Sequence, residues 1–438
     1  MLLLGLDIGS SSVKAGLLRD GRLVGKPVRG AFDTRYGGGR AEVEPAAIMK
    51  AVAGAVRELG DGAKRVDALA LAVMSPAWVA MDKAGAPLTP IVTHQDRRSV
   101  DEARRLEARV GMARHLKLAG NRPFPGGISS TTWNWFRRHE PGRLKRADLV
   151  GHLSTFLVRT LTGARVIDPS NASFTGLYVT TTQRGWSDEL CAASRVAKHL
   201  LPDLVEADQI AGTVLPAAAR RFGLKAGTPV LAGMVDTSAA MLLTGAEPGQ
   251  LLNVAGSTDV LAVLVDRPRP HERLLTRALG VGRRWMSVST LAAGGSVIVW
   301  AKEQLFPELD FPSFRTLVTQ LAKKPDPAGV TFDPALAGDR TSIEQCAGAF
   351  AGLTLATTRQ HMLSAVLESL AAASAARLPL LDQGGRVTLR KDVVVSGGTS
   401  EMAGDLLYRD WPRRARWTFR SEDEATLRGL GTLVPRER

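Results

Sequence analysis

A chain of 438 residues with 45% hydrophobic and 23% charged residues has the composition of a folded globular protein, which excludes a disordered or fibrous one. At ~100–200 residues per domain it has room for two or three domains, each burying its own core. Lys and Arg number 57 against 43 Asp and Glu, a formal charge of +14 that is scattered along the chain and suits attraction of a polyanion such as a nucleoside triphosphate.

The first predicted unit runs from Leu2 to Gly25. Apolar residues lead into Asp7-Ile8-Gly9-Ser10-Ser11-Ser12, continue through Val13 to Leu18, and return at Leu23-Val24. The alternation predicts a β-hairpin with a Gly/Ser tip, then a third strand. Pro45 opens a predicted helix over 44–59, a buried strand follows at 68–74, and helical spacing of apolar residues covers 99–118. A second strand-rich unit begins over 228–238 and passes into a helix at 239–243. The opening theme then repeats, with Gln250 to Ala255, the tip Gly256-Ser257-Thr258, and Asp259 to Asp266. After a Pro-rich stretch at 307–334, an Ala-rich helix is predicted over 349–376. A last strand, 392–395, ends in Ser396-Gly397-Gly398-Thr399.

Gly-rich turns between strands expose backbone N–H groups to anionic oxygens. Any one of the three turns, at 9–12, 256–258 and 397–399, is equally well a tight turn and nothing more. Three of them at strand ends, two on equivalent hairpins, favour phosphate binding. None has the P-loop or the dinucleotide G-x-G-x-x-G pattern. Asp7, at a strand end before the first tip, suits a magnesium ion held through water or a local Asx cap. Asp236 suits a helix N-cap or a general base that deprotonates an attacking hydroxyl. Asp96 and Arg98 lie in a polar cluster fit for a polyhydroxylated ligand or for a solvated helix start, and Trp78 suits sugar stacking or the core.

Two cysteines, Cys191 and Cys346, form no CxxC pair, and the seven histidines show no metal spacing. A reducing cytoplasm is expected. The N-terminus has no basic region before its apolar residues and meets Asp7 early, so neither a signal peptide nor a membrane span is expected. The densest basic and aromatic run, from Trp411 through Arg413, Arg414 and Ala415 to Arg420, reads as a basic strand or loop, and no nucleic-acid partner is expected.

Together these segments resemble the FGGY family of carbohydrate kinases, in the actin and hexokinase superfamily. Gly5 to Lys14 is similar to the family's first phosphate segment, Gly233-Met234-Val235-Asp236 to its G-x-x-D segment, Asn253 to Thr258 to its second phosphate segment, and Ser396-Gly397-Gly398 to its adenosine segment. The most specific match is Gly348-Ala349-Phe350-Ala351-Gly352-Leu353, then His361-Met362, then Ala365-Val366-Leu367-Glu368. This chain departs from the pattern with Thr132 for a lysine, His94 for a tryptophan, Ser75-Pro76 for Met-His, and Met402 near the adenine.

The resemblance implies an α/β fold of two actin-like (ribonuclease H-like) domains with an interdomain active-site cleft. Residues 1–243 would be the N-terminal domain, with the sugar site and catalytic base, and 244–438 the C-terminal, nucleotide-binding domain. It implies transfer of the γ-phosphoryl group of ATP to a hydroxyl of a ketose or polyol resembling xylulose. Asp236 would be the general base and a sugar contact, and Asp7 with Asp236 would organise Mg2+. Gly9, Ser10, Ser11, Ser12, Lys14, Gly256, Ser257, Thr258, Gly397 and Gly398 would contact the nucleotide, and Trp78, Asp96 and Arg98 the sugar. A homodimer would be in keeping with the family. The competing reading is a catalytically weak sugar-binding sensor on the same fold.

Overall fold

The computed structural model describes residues 1–412 and 416–437. It divides into two compact units that do not follow chain order. Met1–Ala246, Asp266–Met286 and Glu424–Arg438 form the first unit, and Glu247–Val265 with Ser287–Asp423 form the second. The physical reason lies in the end of the chain. Helix Ala425–Leu430 packs along helix Asp236–Leu243 and against strand Leu2–Ile8, burying Leu427 and Leu430 completely.

In the first unit an eight-stranded sheet is built around the expected opening hairpin. Leu2–Ile8 pairs antiparallel with Ser12–Arg19 and parallel with Ala68–Val73. Ala68–Val73 is buried at all six positions, as a central strand covered on both faces requires. On its far side it pairs with Pro229–Leu231 and Met234–Val235. The strand expected over 228–238 is thus broken at Gly233, whose φ of +84° turns the backbone, and the helix starts at Asp236 rather than at Ala239. Helix Pro45–Glu58 begins at its proline as predicted and lays Ile48, Met49, Val52 and Val56 on the sheet. The helix expected over 99–118 is two, Val100–Val110 and Met112–Ala119, because Gly111 sits at φ +86°.

The second unit contains the second expected hairpin, Leu251–Ala255 with Asp259–Val265, in a sheet that continues through Asp392–Ser396 to Thr418–Ser421. The long helix spans Arg359–Gly385, ten residues later than expected. Ala349–Ala351 instead pairs as a strand with Thr331–Asp333, the chain turns at Gly352, and Thr358 with His361 closes a capping box. The Pro-rich stretch holds helix Phe311–Lys323, whose Pro312 sits in the first turn where a missing N–H costs nothing. Arg359–Gly385 is long and apolar enough to cross a membrane by composition alone, which the sequence reading did not expect. Its apolar residues Leu363, Val366, Leu367, Leu370 and Leu378 are instead buried within the protein.

Candidate functional site

Parallel pairing aligns Asp7 with Ala72 and Ala72 with Met234 across the first sheet. Side chains two residues apart on a strand share a face, so Asp236 lies just beyond the sheet end on Asp7's side. The two carboxylates repel each other. Asp7 keeps a little accessible surface, but protein surrounds its carboxyl. That desolvation, reinforced by Asp236 and Glu424 and opposed by Lys14 and Arg29, pushes its pKa up to about 7. Asp236 is half-buried. Its Oδ1 accepts from Thr237 N at 2.6 Å and Thr237 Oγ1 at 3.0 Å, which fixes the carboxylate, while Oδ2 makes no hydrogen bond among the described residues.

Lys14 stands opposite Asp7 in the hairpin register, and its Nζ donates to Glu424 at 2.7 Å. Arg29 reaches the other Glu424 oxygen at 2.8 Å, and this cationic pair holds the Glu424 carboxyl below the usual range. The closing segment therefore brings a third carboxylate to the opening hairpin, and nothing in its sequence signals that. The hairpin tip is pinned by Gly9 N to Ser12 O at 3.0 Å, Phe32 N to Ser11 O at 3.0 Å and Thr34 Oγ1 to Ser10 O at 2.8 Å. Gly9, Ser10 and Ser12 are half-buried and Ser11 is exposed.

In the second unit, the tip at 256–258 meets two helix starts. Gly294, Gly295 and Ser296 donate backbone N–H groups to the carbonyls of Ser257, Gly256 and Ser257 at 2.8–3.1 Å, and Thr399 Oγ1 donates to Gly256 O at 3.2 Å. A Cβ on Gly397, at φ +105°, would lie 2.4 Å from Ala255 O. This approach admits glycine alone. Ser257 and Gly398 are exposed, so the two predicted nucleotide segments of this unit adjoin each other with open backbone. Below them, Asp259 is gripped by Arg377 at 2.6 Å and accepts from Asn253, which in turn accepts from Tyr408. That buried network stiffens the hairpin.

The expected sugar contacts are placed differently. Asp96 is inaccessible, and its oxygens accept from Ala41 N, Arg98 N and the Arg98 guanidinium at 2.6–3.1 Å. Arg98 also reaches Glu42 at 2.6 Å and lies 4.8 Å over the Trp135 ring. These two side chains answer each other. Trp78, 3% exposed, packs on Phe136 at 5.2 Å in a core cluster with Trp133 and Trp135. No aromatic platform is left open there. In the basic and aromatic run, Arg413, Arg414 and Ala415 lie outside the described residues. Its aromatics pack on Tyr408 and on one another, Phe419 stacked on Tyr408 at 4.2 Å and Trp411 edge-on to Trp417 at 5.1 Å.

Other buried polar groups carry no signal in the sequence. Asp168 is inaccessible, caps helix Pro169–Ala172 through Ser170 and Asn171, and is pushed up to about 6 by burial. Ser170 Oγ in turn accepts from Val235 N at 3.0 Å. This anchors the residue before Asp236. His152, completely buried and hydrogen-bonded to Ser129 at 2.9 Å, is driven down to about 3 and stays neutral. Arg277 is 4% exposed and senses the charge of Asp236. Among the described residues no three His, Cys, Asp or Glu side chains cluster as a metal site.

Family models match both parts of the chain. The N-terminal domain of the FGGY family of carbohydrate kinases matches residues 2–243, and the C-terminal domain of the same family matches 251–404. Xylulose kinase of Escherichia coli K12 is 27% identical over 412 residues, covering 92% of this chain and 84% of the relative. Gluconokinase of Bacillus subtilis is 26% identical, covering 84% and 74%. The crystal structure of xylulose kinase from Rhodospirillum rubrum superposes with a TM-score of 0.82 at 25% identity, covering 99% of this chain and 88% of that one. The chain belongs to the FGGY family of carbohydrate kinases, with that family's two-domain actin-like α/β architecture. It is a sugar kinase, a phosphotransferase with an alcohol group as acceptor, and ATP is the co-substrate of its family.

Proposed function

We propose that this kinase transfers the γ-phosphoryl group of ATP to a hydroxyl of an open-chain ketose or polyol, with Asp236 as general base. The observation that supports this most is the Asp236 carboxylate itself. One oxygen is locked by Thr237, the other is unengaged, and the group stands at a sheet end beside Asp7. A fixed carboxylate with a spare oxygen can take the proton of an acceptor hydroxyl as that hydroxyl attacks phosphorus. Orientation matters here because the proton must leave along the line of attack.

Asp7 and Asp236 fit a magnesium ion that keeps most of its shell of water and phosphate oxygens. The protein offers few ligands, and Asp7 sits among carboxylates whose repulsion a divalent cation would relieve. Such an ion supplies charge neutralisation at the phosphates. The chain's own groups do the rest: the tip Gly9 to Ser12 with Lys14 in the first unit, and Gly256 to Thr258 with Gly397 and Gly398 in the second, are the proposed nucleotide contacts. Asp96 and Arg98 act in this reading as positioning residues for the helix that follows them. A cytoplasmic setting agrees with two cysteines, Cys191 and Cys346, that are not disulfide-bonded to each other.

The test is ADP release with ATP and magnesium against a panel of pentuloses, hexuloses, polyols and their acids. Asp236→Asn should lower turnover ~10²–10⁴-fold while substrate binding stays within a few-fold. An Asp236→Asn protein that turns over like the parent overturns the base assignment. A sugar that raises the melting temperature without ever accelerating ADP release would make the protein a sensor.

A further inference from the structure

Arg277 is held where a cation has no evident business. Its strand, Leu275–Ala278, is clamped on both sides: Asn121 Nδ2 donates to Thr276 O and Thr276 N donates to Asn121 Oδ1, each at 2.8 Å, and Ala278 N donates to Ser173 Oγ at 3.0 Å. The side chain between these anchors is 4% exposed. One face of its guanidinium lies 5.4 Å from the centre of the Phe174 ring. Among the described residues, buried Nε and Nη2 have no hydrogen-bond partner and no carboxylate lies within ion-pairing distance. Burial drives its pKa down to about 10, with only the field of Asp236 opposing.

A buried cation with unmet donors is costly. Lysine or histidine would respond by losing the proton, but a guanidinium still carries its charge at neutral pH. Nε–H and Nη2–H point in parallel from one edge of the guanidinium, the edge that receives both oxygens of a carboxylate side-on. The aromatic ring covers one face, and no described group meets that buried edge. A neutral hydroxyl would satisfy one donor and leave the charge unanswered.

We infer that Arg277 is a specificity residue that takes the carboxylate of an acidic substrate, so that the acceptor is a polyol chain ending in a carboxylate, an aldonate-type sugar acid. The substrate would then bridge Arg277, which holds its acid end, and Asp236, which faces its reacting hydroxyl. This rests on the sugar-kinase reading of the same site and narrows its substrate class.

Two matched pairs isolate the carboxylate: D-gluconate against D-sorbitol, and D-xylonate against xylitol. Calorimetric titration of the full chain without nucleotide should show at least one acid binding about 30-fold or more tighter than its alditol. Arg277→Gln and Arg277→Lys should erase that preference, with circular dichroism confirming that they fold. Should both variants fail to fold, the wild-type pairs still decide. Equal affinity within each pair, or no acid binding at all, overturns the inference. So does inorganic phosphate competing through Arg277 while the acids do not, since the guanidinium would then serve the transferred group. An acid that binds through Arg277 without ADP release counts against the phosphotransfer chemistry at Asp236 and not against Arg277. Turnover of a ketose with no acid preference does the reverse.

Discussion

At the scale of single residues the first unit concentrates unlike charges at one sheet end: Asp7, Asp236 and Glu424 against Lys14 and Arg29. Asp7 carries a testable consequence. Its folded pKa of about 7 exceeds the ordinary 3.8, so between those values the folded state holds a proton that the unfolded state has released. Stability must therefore fall as pH climbs from about 4 to about 7 and level off above. Asp168, raised to about 6, adds a fall of the same sign at lower pH. Asp7→Asn should melt higher than the parent at pH 8 and should lose the Asp7 share of the decline between about pH 4 and 7, while keeping the part due to Asp168. Parallel melting curves for the two proteins across that window would refute the assignment. Asp7 stands out in the sequence as a carboxylate closing an apolar strand before a Gly/Ser tip, a place that an Asx cap fills equally well. Arg277 was not, because its strand gives no sign of which polar group the fold will bury. Asp96 and Arg98 were visible as a cluster, but their satisfaction by each other depends on the arrival of Glu42 and the Ala41 backbone.

At the scale of elements the hairpins were readable because period-two alternation and a glycine tip coincide. The errors fall where one glycine reverses the local backbone without interrupting the hydrophobic pattern. Gly111 divides a helix, Gly233 ends a strand, and Gly352 separates a strand from the long helix. A contact between helices sets the position of the proposed base. A Cβ on Gly429 would lie 1.8 Å from Ala239 O, so helix Ala425–Leu430 packs backbone to backbone against the helix that begins with Asp236. Gly429→Ala must push the two apart, at about 1–3 kcal/mol for an overpacked contact. The variant should unfold at lower denaturant and lose turnover in excess of its unfolded fraction, because the first turn carrying Asp236 moves. Unchanged denaturant midpoints would mean that the close approach is not set by this glycine.

At the scale of the whole molecule the first unit is discontinuous, drawing on residues 1–246, 266–286 and 424–438. Its last segment contributes Leu427 and Leu430, both fully buried, and Leu433 at 4% exposure. It also contributes the Glu424 pairing and Arg436, which bonds Asp208 at 2.7 Å. Three buried leucines at ~1.5–3 kcal/mol each approach the ~5–15 kcal/mol by which such domains are stable. A chain ending at residue 423 should leave the first unit open to limited proteolysis, with its cooperative transition lost from calorimetry. A truncated chain that melts like the parent would show that the closing helix is an ornament. The expected domains follow from the repeated hairpin and the family resemblance, which reaches only to about residue 400, so neither shows which strand the closing helix returns to.

The same discontinuity governs how the protein is made. Strand Leu2–Ile8 leaves the ribosome long before its cover does: Gly5 leaves room for the Leu427 side chain, which is synthesised more than four hundred residues later. At ~5–20 residues per second, that strand and the hairpin it forms wait tens of seconds for the helix that covers them. Until helix Ala425–Leu430 emerges, this hydrophobic surface is therefore exposed to chaperones, and the proposed base lacks its final support.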